Sequence, residues 1–369
     1  MNHRRASLAR VCVNCHRSSA DNWSKWWSST FLSLDFSRPE SGHSFIRWAV
    51  DCRRCVPDSF LGVRNASVSF KSPMTSASVM VMQIVCALGH LCGPNLKCLT
   101  ISMKGRRVPP NVYFVGEYLS SLVALEVLEI YMNGGWLALS IPAHVPLRLV
   151  LVHNGCLRTD RTLFLPPSLK YLLIPEPSRV SDHSSWVDHV SARLPSLRLL
   201  NLRGCGVPLD LGGLTGVTGL ECLSLDGAHH DVSETLATLP RLSALTGLRL
   251  DCNPTLTSVD FLHKLPSLEE LNLSATCVTD LHPVSALRHL RHLSMDDWMV
   301  VGGVQWLTGL RSLGSLSVRI WSHVLVSDCR ELSRLTQLTS LEVLKRECMP
   351  AEFANLFFPH IPNCLYAIV

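Results

Sequence analysis

Charge is scarce and scattered in this chain. Asp, Glu, Lys and Arg make up 17% of its 369 residues and form no block of one sign, against roughly a quarter in an average soluble protein. A net charge of +5 spread so thinly gives no basic patch, so neither nucleic acid nor a membrane surface is expected as a partner. Aromatic residues are also few, at 7%, so the core must be mainly aliphatic. No apolar run is long enough to span a bilayer, and the most apolar stretch, 79 to 92, carries Gln83 and His90. Gly-x-Ser-x-Gly, Gly-x₄-Gly-Lys and His-Glu-x-x-His strings are all missing, which removes the commonest hydrolase, nucleotide and zinc-protease signatures. No catalytic constellation is found. The start, MNHRRASLAR, lacks the apolar core of a secretory signal, and its arginines leave an organelle transit peptide as a second reading. Cysteine is not scarce. Without a signal, the fifteen cysteines read as reduced thiols with few or no disulfides.

What the chain has in abundance is one pattern, Leu-x-x-Leu-x-Leu or a close variant, found eleven times. The copies start at Leu96, Leu125, Leu147, Leu169, Leu197, Leu220, Leu245, Leu268, Leu290, Leu313 and Leu338. Positions 1, 4 and 6 of each hexad point into a core, and positions 2, 3 and 5 point away. One such unit cannot bury its leucines alone, so neighbours stack and their strands form a parallel sheet. The expected fold class is therefore α/β: a solenoid with a curved parallel sheet and short helices or 3₁₀ turns outside. SETLATLPRL (233–242) and TDLHPVSALRH (279–289) are such outer segments, and 79–92 is the outer segment of an early, degenerate unit. RNASVSF (64–70) reads as its strand, and Asn363, Tyr366 and Ile368 fit a twelfth strand. Residues 175–193 read as an inserted loop. With no polar cap after that last strand, the array is expected either to continue past Val369 or to be covered there by a partner.

Residues 96–343 resemble leucine-rich-repeat proteins, and LEELNLSATCVTDLHPVSALRH (268–289) is similar to the short 22-residue repeat type. That family usually carries Asn at the ninth position. Asn133 and Asn253 keep it, Cys205 and Thr276 substitute for it, and Trp298 and Trp321 depart from it. SLARVCVNCHRSSADNWSKWWSSTFLSLDF (7–36) resembles the second half of an F-box, with Val11, Cys12, Ala20, Asp21, Trp27 and Leu34 as the matching positions. SGHSFIRWAVDCRRC (41–55) is similar to the helix that joins F-boxes to repeats. The resemblance implies two parts: a partial F-box-like helical region with its linker helix over 1–60, and a leucine-rich-repeat domain over 61–369.

Other motifs yield to ordinary readings. Cys12-x-x-Cys15-His16 imitates a haem-attachment string, and with Cys52-x-x-Cys55 a four-cysteine zinc site. The gap between the two pairs exceeds the usual zinc spacing, and both fall where the resemblance places helix. No metal and no cofactor is expected. His282, His289 and His292 flank hexad leucines and read as solvated or loop-bonded. The informative surface is the face that looks away from the core, where hexad position 5 and the position two residues on carry Arg203, Asp226, Arg249, Asp251, Asn272, Asp296 and Arg319. It reads either as a plain solvated face or as a partly acidic stripe, bounded by Arg203 and Arg319, that meets a basic protein. Asp251 is expected to point off the sheet, so that its charge can be reversed without loss of folding. Trp298 and Trp321 read either as aromatic anchors for a partner or as core.

The expected function is protein binding without catalysis. The F-box resemblance implies a substrate-recognition subunit of a cullin-type (SCF) ubiquitin ligase, docking the linker subunit through the N-terminal region. The alternative is a free-standing repeat scaffold of cytoskeletal, axonemal or phosphatase-regulating kind. Cytoplasm is the expected location, with nucleus or cytoskeleton and cilium axoneme as alternatives.

Overall fold

The computed structural model describes residues 31–36, 43, 45–46, 49, 62–70, 77–103, 111–114, 116–132, 136–153, 156–157, 164–174, 193–204, 209–228, 230–296, 305–320, 335–345 and 363–368. The chain divides into two compact units, one of Met1–Trp186 with Arg193–Leu197, the other of Val187–Ala192 with Arg198–Val369.

The first unit contains six parallel strands: β1 (Phe31–Phe36), β2 (Asn65–Phe70), β3 (Cys98–Met103), β5 (Val127–Tyr131), β7 (Leu149–His153) and β9 (Tyr171–Leu173), paired in that order. A smaller parallel sheet joins β4 (Asn111–Phe114), β6 (Trp136–Leu139) and β8 (Cys156–Leu157). Between β2 and β3 runs helix α1, Ala77–Cys92, so the apolar 79–92 stretch is an outer segment, as the repeat reading expects. Thirteen of its sixteen residues are hydrophobic or glycine, and most are buried, as suits a helix covered nearly all round.

The sheet begins earlier than the sequence suggests. Phe31–Phe36, expected to close a helical region, is instead strand β1, in register with β2 from Phe31↔Asn65 to Phe36↔Phe70. The Phe36 ring stacks on Phe70 at 5.5 Å between centroids and meets Phe45 edge-on at 5.7 Å. Aromatic burial replaces the leucine hexad here, which is why the repeat pattern does not show. Helical backbone is present at residues 43, 45, 46 and 49. The remaining expected helices, with Trp27 and the cysteines at 12, 15, 52 and 55, lie outside the described residues.

The second unit contains eight parallel strands in consecutive order: β10 (Leu199–Asn201), β11 (Cys222–Ser224), β12 (Gly247–Arg249), β13 (Glu270–Asn272), β14 (His292–Asp296), β15 (Ser315–Ile320), β16 (Ser340–Lys345) and β17 (Asn363–Ile368). The twelfth strand expected at Asn363–Ile368 is thus present. Leu200, Leu223, Leu248, Leu271, Leu293, Leu316 and Leu341 stand side by side, each at most 2% exposed. The described return segments are short: 3₁₀ turns at Leu211–Gly216, Asp260–Lys264, His282–Ala286 and Gln305–Gly309, and an α-helix, α2 (Val232–Ala237). Asp210 and Asp231 start two of them by accepting the N–H of Gly212 and Ser233, a capping bond that short helices rely on.

Three features make the repeats interlock. Backbone N–H groups at hexad positions 2 and 3 both donate to one carbonyl of the preceding repeat, as Glu221 and Cys222 do to Arg198 O. Asn253 is fully buried: its amide donates to Leu225 O at 3.0 Å and Leu250 O at 2.7 Å, and its Oδ1 accepts Ala228 N–H at 2.9 Å. Thr276, in the same place one repeat on, reaches only Leu273 O of its own loop. Finally, the eighth position is left-handed in four consecutive repeats, at Gly204, Gly227, Cys252 and Ala275, with φ from 57° to 70°. This conformation aims the N–H at the next repeat: Gly204 to Asp226 O, Gly227 to Asp251 O and Cys252 to Ser274 O, each at 2.8 Å.

Leu271→Ala should cost about 2–5 kcal/mol, the range for a leucine deleted from a packed core, read from urea denaturation. The left-handed position gives a reciprocal pair. An L-residue there costs ~1–2 kcal/mol, partly offset by the greater unfolded freedom of glycine. Ala275→Gly should therefore stabilise by up to about 1 kcal/mol. Gly227→Ala should destabilise by about as much, although a Cβ at Gly227 would meet no atom within 4 Å. Equal signs for the two would refute the backbone account.

Candidate functional site

Because successive side chains of a strand alternate between faces, burying hexad positions 4 and 6 turns positions 3, 5 and 7 to the open face. In the second unit that face is laid mostly with short side chains: Cys222, Ser224, Gly247, Asn272, Ser274, Ser294, Ser315 and Ser317. From this floor rise Arg203, Arg249, Glu270 and His292, all exposed.

The acids expected to form a stripe are tucked among these groups. Asp226, only 13% exposed, accepts from Ser224 Oγ and is covered by Arg203, whose Nε lies 3.3 Å from its Oδ2 while the arginine itself stays 70% exposed. Asp251 is half-buried and accepts from Asn272 Nδ2 at 3.0 Å. Asn272 is fixed in turn, its Oδ1 accepting Ser274 N–H at 3.1 Å. Burial, and then the neighbouring charge of Asp226, push the Asp251 carboxyl above its ordinary value. Asp251 is thus not free on the surface, and reversing its charge would remove the acceptor that Asn272 uses.

Asp296 departs furthest from expectation. It is fully buried, and its Oδ2 accepts Ala275 N–H at 2.6 Å. In the three preceding repeats that bond goes to a backbone carbonyl. At β14 the strand runs on through Asp296, and the carboxylate supplies the acceptor in the carbonyl's place. Asp296 is thus a bracket between repeats and not a surface contact. The Arg249 guanidinium has neither a hydrogen bond nor an ion pair among the described residues. Arg319 lies on β15 opposite Asp296; its side chain, and both Trp298 and Trp321, lie outside the described residues.

Of the expected set, the structure brings together Arg203, Asp226, Arg249, Asp251 and Asn272 on four neighbouring repeats. No cluster of three or more His, Cys, Asp or Glu able to hold a metal ion occurs among the described residues, and no helix among them is long and apolar enough to cross a membrane. His282, His289 and His292 are exposed.

The first unit has an open face of another kind, which the sequence reading passed over. Val127↔Leu149↔Tyr171 and Glu129↔Leu151↔Leu173 stand in two rows, and Tyr131 and His153 stack in parallel at 4.1 Å between ring centroids. The signal was in the hexads LRLVLV and LKYLLI, which are apolar at positions 3 and 5, whereas later copies are polar at position 5.

The perturbed acid gives a test by pH. A carboxyl raised on folding binds more protons in the folded state, so it favours folding at low pH and opposes it once ionised. Stability should therefore fall as pH rises from the ordinary Asp range through the raised value. Asp251→Asn keeps an acceptor for Asn272 and should remove that fall. The variant should match the parent below the window and exceed it above, in urea midpoints measured across acidic pH. A variant less stable than the parent at neutral pH would show that the charge is favourable where it sits.

No protein-family model matches the sequence. Tsukushi of Gallus gallus is 38% identical over 100 residues, which are 26% of this chain and 27% of that protein, so the matched stretch spans about a quarter of the relative. Among solved structures, an internalin of Listeria monocytogenes superposes with a TM-score of 0.56 at 15% identity, covering 99% of this chain and 96% of its own. The mouse RP105/MD-1 complex matches with a TM-score of 0.48 at 16% identity, over 91% of this chain and 50% of that one. Repeat spacing, parallel register and the full-length superposition agree: the fold is that of a leucine-rich-repeat solenoid.

Proposed function

We propose that the chain is a non-enzymatic protein-interaction module that holds a partner protein on the open face of the second unit, from Arg203 towards Arg319. The observation that carries this reading is the way that face is tied together from strand to strand. Arg203, Asp226 and Ser224 form one bonded group, Asn272 and Asp251 a second, and Ser317 with Glu342 a third, at 3.1 Å. Side chains fixed before binding lose little freedom when a partner arrives. Arg249 adds an exposed guanidinium whose donors are unspent among the described residues, a residue type common among the dominant contacts of interfaces.

The corrected exposures change the partner's chemistry. What protrudes is arginine, with Glu270 and His292 beside it, so the basic partner suggested by an acidic stripe gives way to one of mixed charge. The narrower reading, a substrate-recognition subunit of a ubiquitin ligase, is supported by the resemblance of residues 7–36 and 41–55 alone. Leu34, matched there to a closing F-box segment, is a buried residue of strand β1. We therefore carry forward the free-standing scaffold.

The test is to isolate partners with the full chain, identify them by mass spectrometry and titrate the leading one against variants. Arg249→Glu should weaken the complex by about tenfold, near 1.4 kcal/mol, and added salt should weaken the parent complex. Glu234→Lys on α2 should leave it unchanged. Equal losses at both positions would move the binding surface off this face.

A further inference from the structure

The geometry points to a second docking surface, on the open face of the first unit, for an apolar segment of a partner protein that carries one basic side chain. Its floor is Val127, Leu149 and Leu151, half-buried, with Leu173 beside them and Tyr171 38% exposed. In-register strands lie ~4.8 Å apart and rows of one face ~6.8 Å apart, so the six positions with Glu129 form one continuous patch. Single exposed apolar residues are ordinary, whereas a contiguous group on a regular face is not.

The size of the patch narrows the occupant. A stable pair of globular surfaces buries about 800 Å² on each partner, more than six partly covered side chains can offer. A second copy of this chain is therefore a poor fit, and a short segment seating two or three side chains is a good one.

Its charge narrows the occupant further. Glu129 stands in the patch between Thr100 and Leu151, and its one described bond is a long one, from Thr100 Oγ1 at 3.3 Å. Cations are near but engaged: Lys97 at 2.8 Å and Arg148 at 3.8 Å both serve Glu126 at the strand ends. Glu129 has no ion pair among the described residues. Covering this face with apolar groups would strip water from that carboxylate, which is costly unless a cation arrives with them. An acidic segment would be repelled and a purely apolar one would pay the desolvation. The fitting partner supplies leucine or aromatic side chains with one Lys or Arg close by.

A phage-displayed library of random short peptides, panned on the full chain, is the probe. Enriched peptides should combine Leu, Phe, Tyr or Trp with Lys or Arg. For a synthetic peptide of the leading sequence, Tyr171→Ala should raise Kd by about tenfold. Glu129→Gln should also raise it and should abolish its salt dependence. Both residues lie on the surface, so unchanged denaturation midpoints would separate lost binding from lost folding. Acidic or unbiased peptides, an empty selection, or binding indifferent to both substitutions would overturn the proposal. So would concentration-dependent self-association abolished by Tyr171→Ala, which would assign the patch to a second copy. Peptides lost on Arg249→Glu but not on these two would overturn this surface while leaving the second-unit face standing. The converse would support this one against that face.

Discussion

A strand of three to six residues with three inward leucines has no core of its own. Each leucine is dry only because the strands before and after supply the walls, and each such burial stabilises by ~1.5–3 kcal/mol. The backbone obeys the same constraint: from Glu221 to Ser340 each hexad's first N–H groups take the carbonyl of the previous repeat, and Leu202, Leu225, Leu250 and Leu273 take that of the next. Stability is therefore a property of adjacency. Everything else in the molecule, from the left-handed eighth position to the buried Asn253, serves to keep neighbours at one fixed spacing.

That constraint explains what the sequence disclosed. Where burial is by leucine, the periodicity is the structure, and from Leu197 onward both the strands and their inward residues were legible. Where the same job is done by other chemistry, the pattern fell silent. Phe36, Phe45 and Phe70 build the first layers by ring stacking, so β1 carries no leucine hexad and its backbone does not follow the helical resemblance of the residues around it. Helix α1 was legible as an outer segment through its length and polarity, not through any repeat.

The open faces were legible as positions but not as chemistry. Spacing shows that Asp226, Asp251 and Asp296 occupy equivalent places. It does not show that Ser224 and Arg203 cover the first, that Asn272 holds the second, or that the third turns inward. Each depends on a neighbour about twenty residues away and on local loop shape, and neither is periodic. The first unit's apolar rows went unread for the opposite reason, since an apolar residue at an outward position resembles one more core residue until the register is known.

Asp296 has a consequence for how such an array can change. A carbonyl acceptor belongs to the backbone, so repeats joined by that bond can in principle be duplicated, deleted or exchanged with no regard to side-chain identity. The junction from Ala275 to Asp296 is sealed by a carboxylate instead, so a following repeat needs a side-chain acceptor in that place to seal it. Modularity stops at this boundary. Exchanging the repeat on either side of it has to keep an acceptor at the position of Asp296, a constraint on two repeats at once.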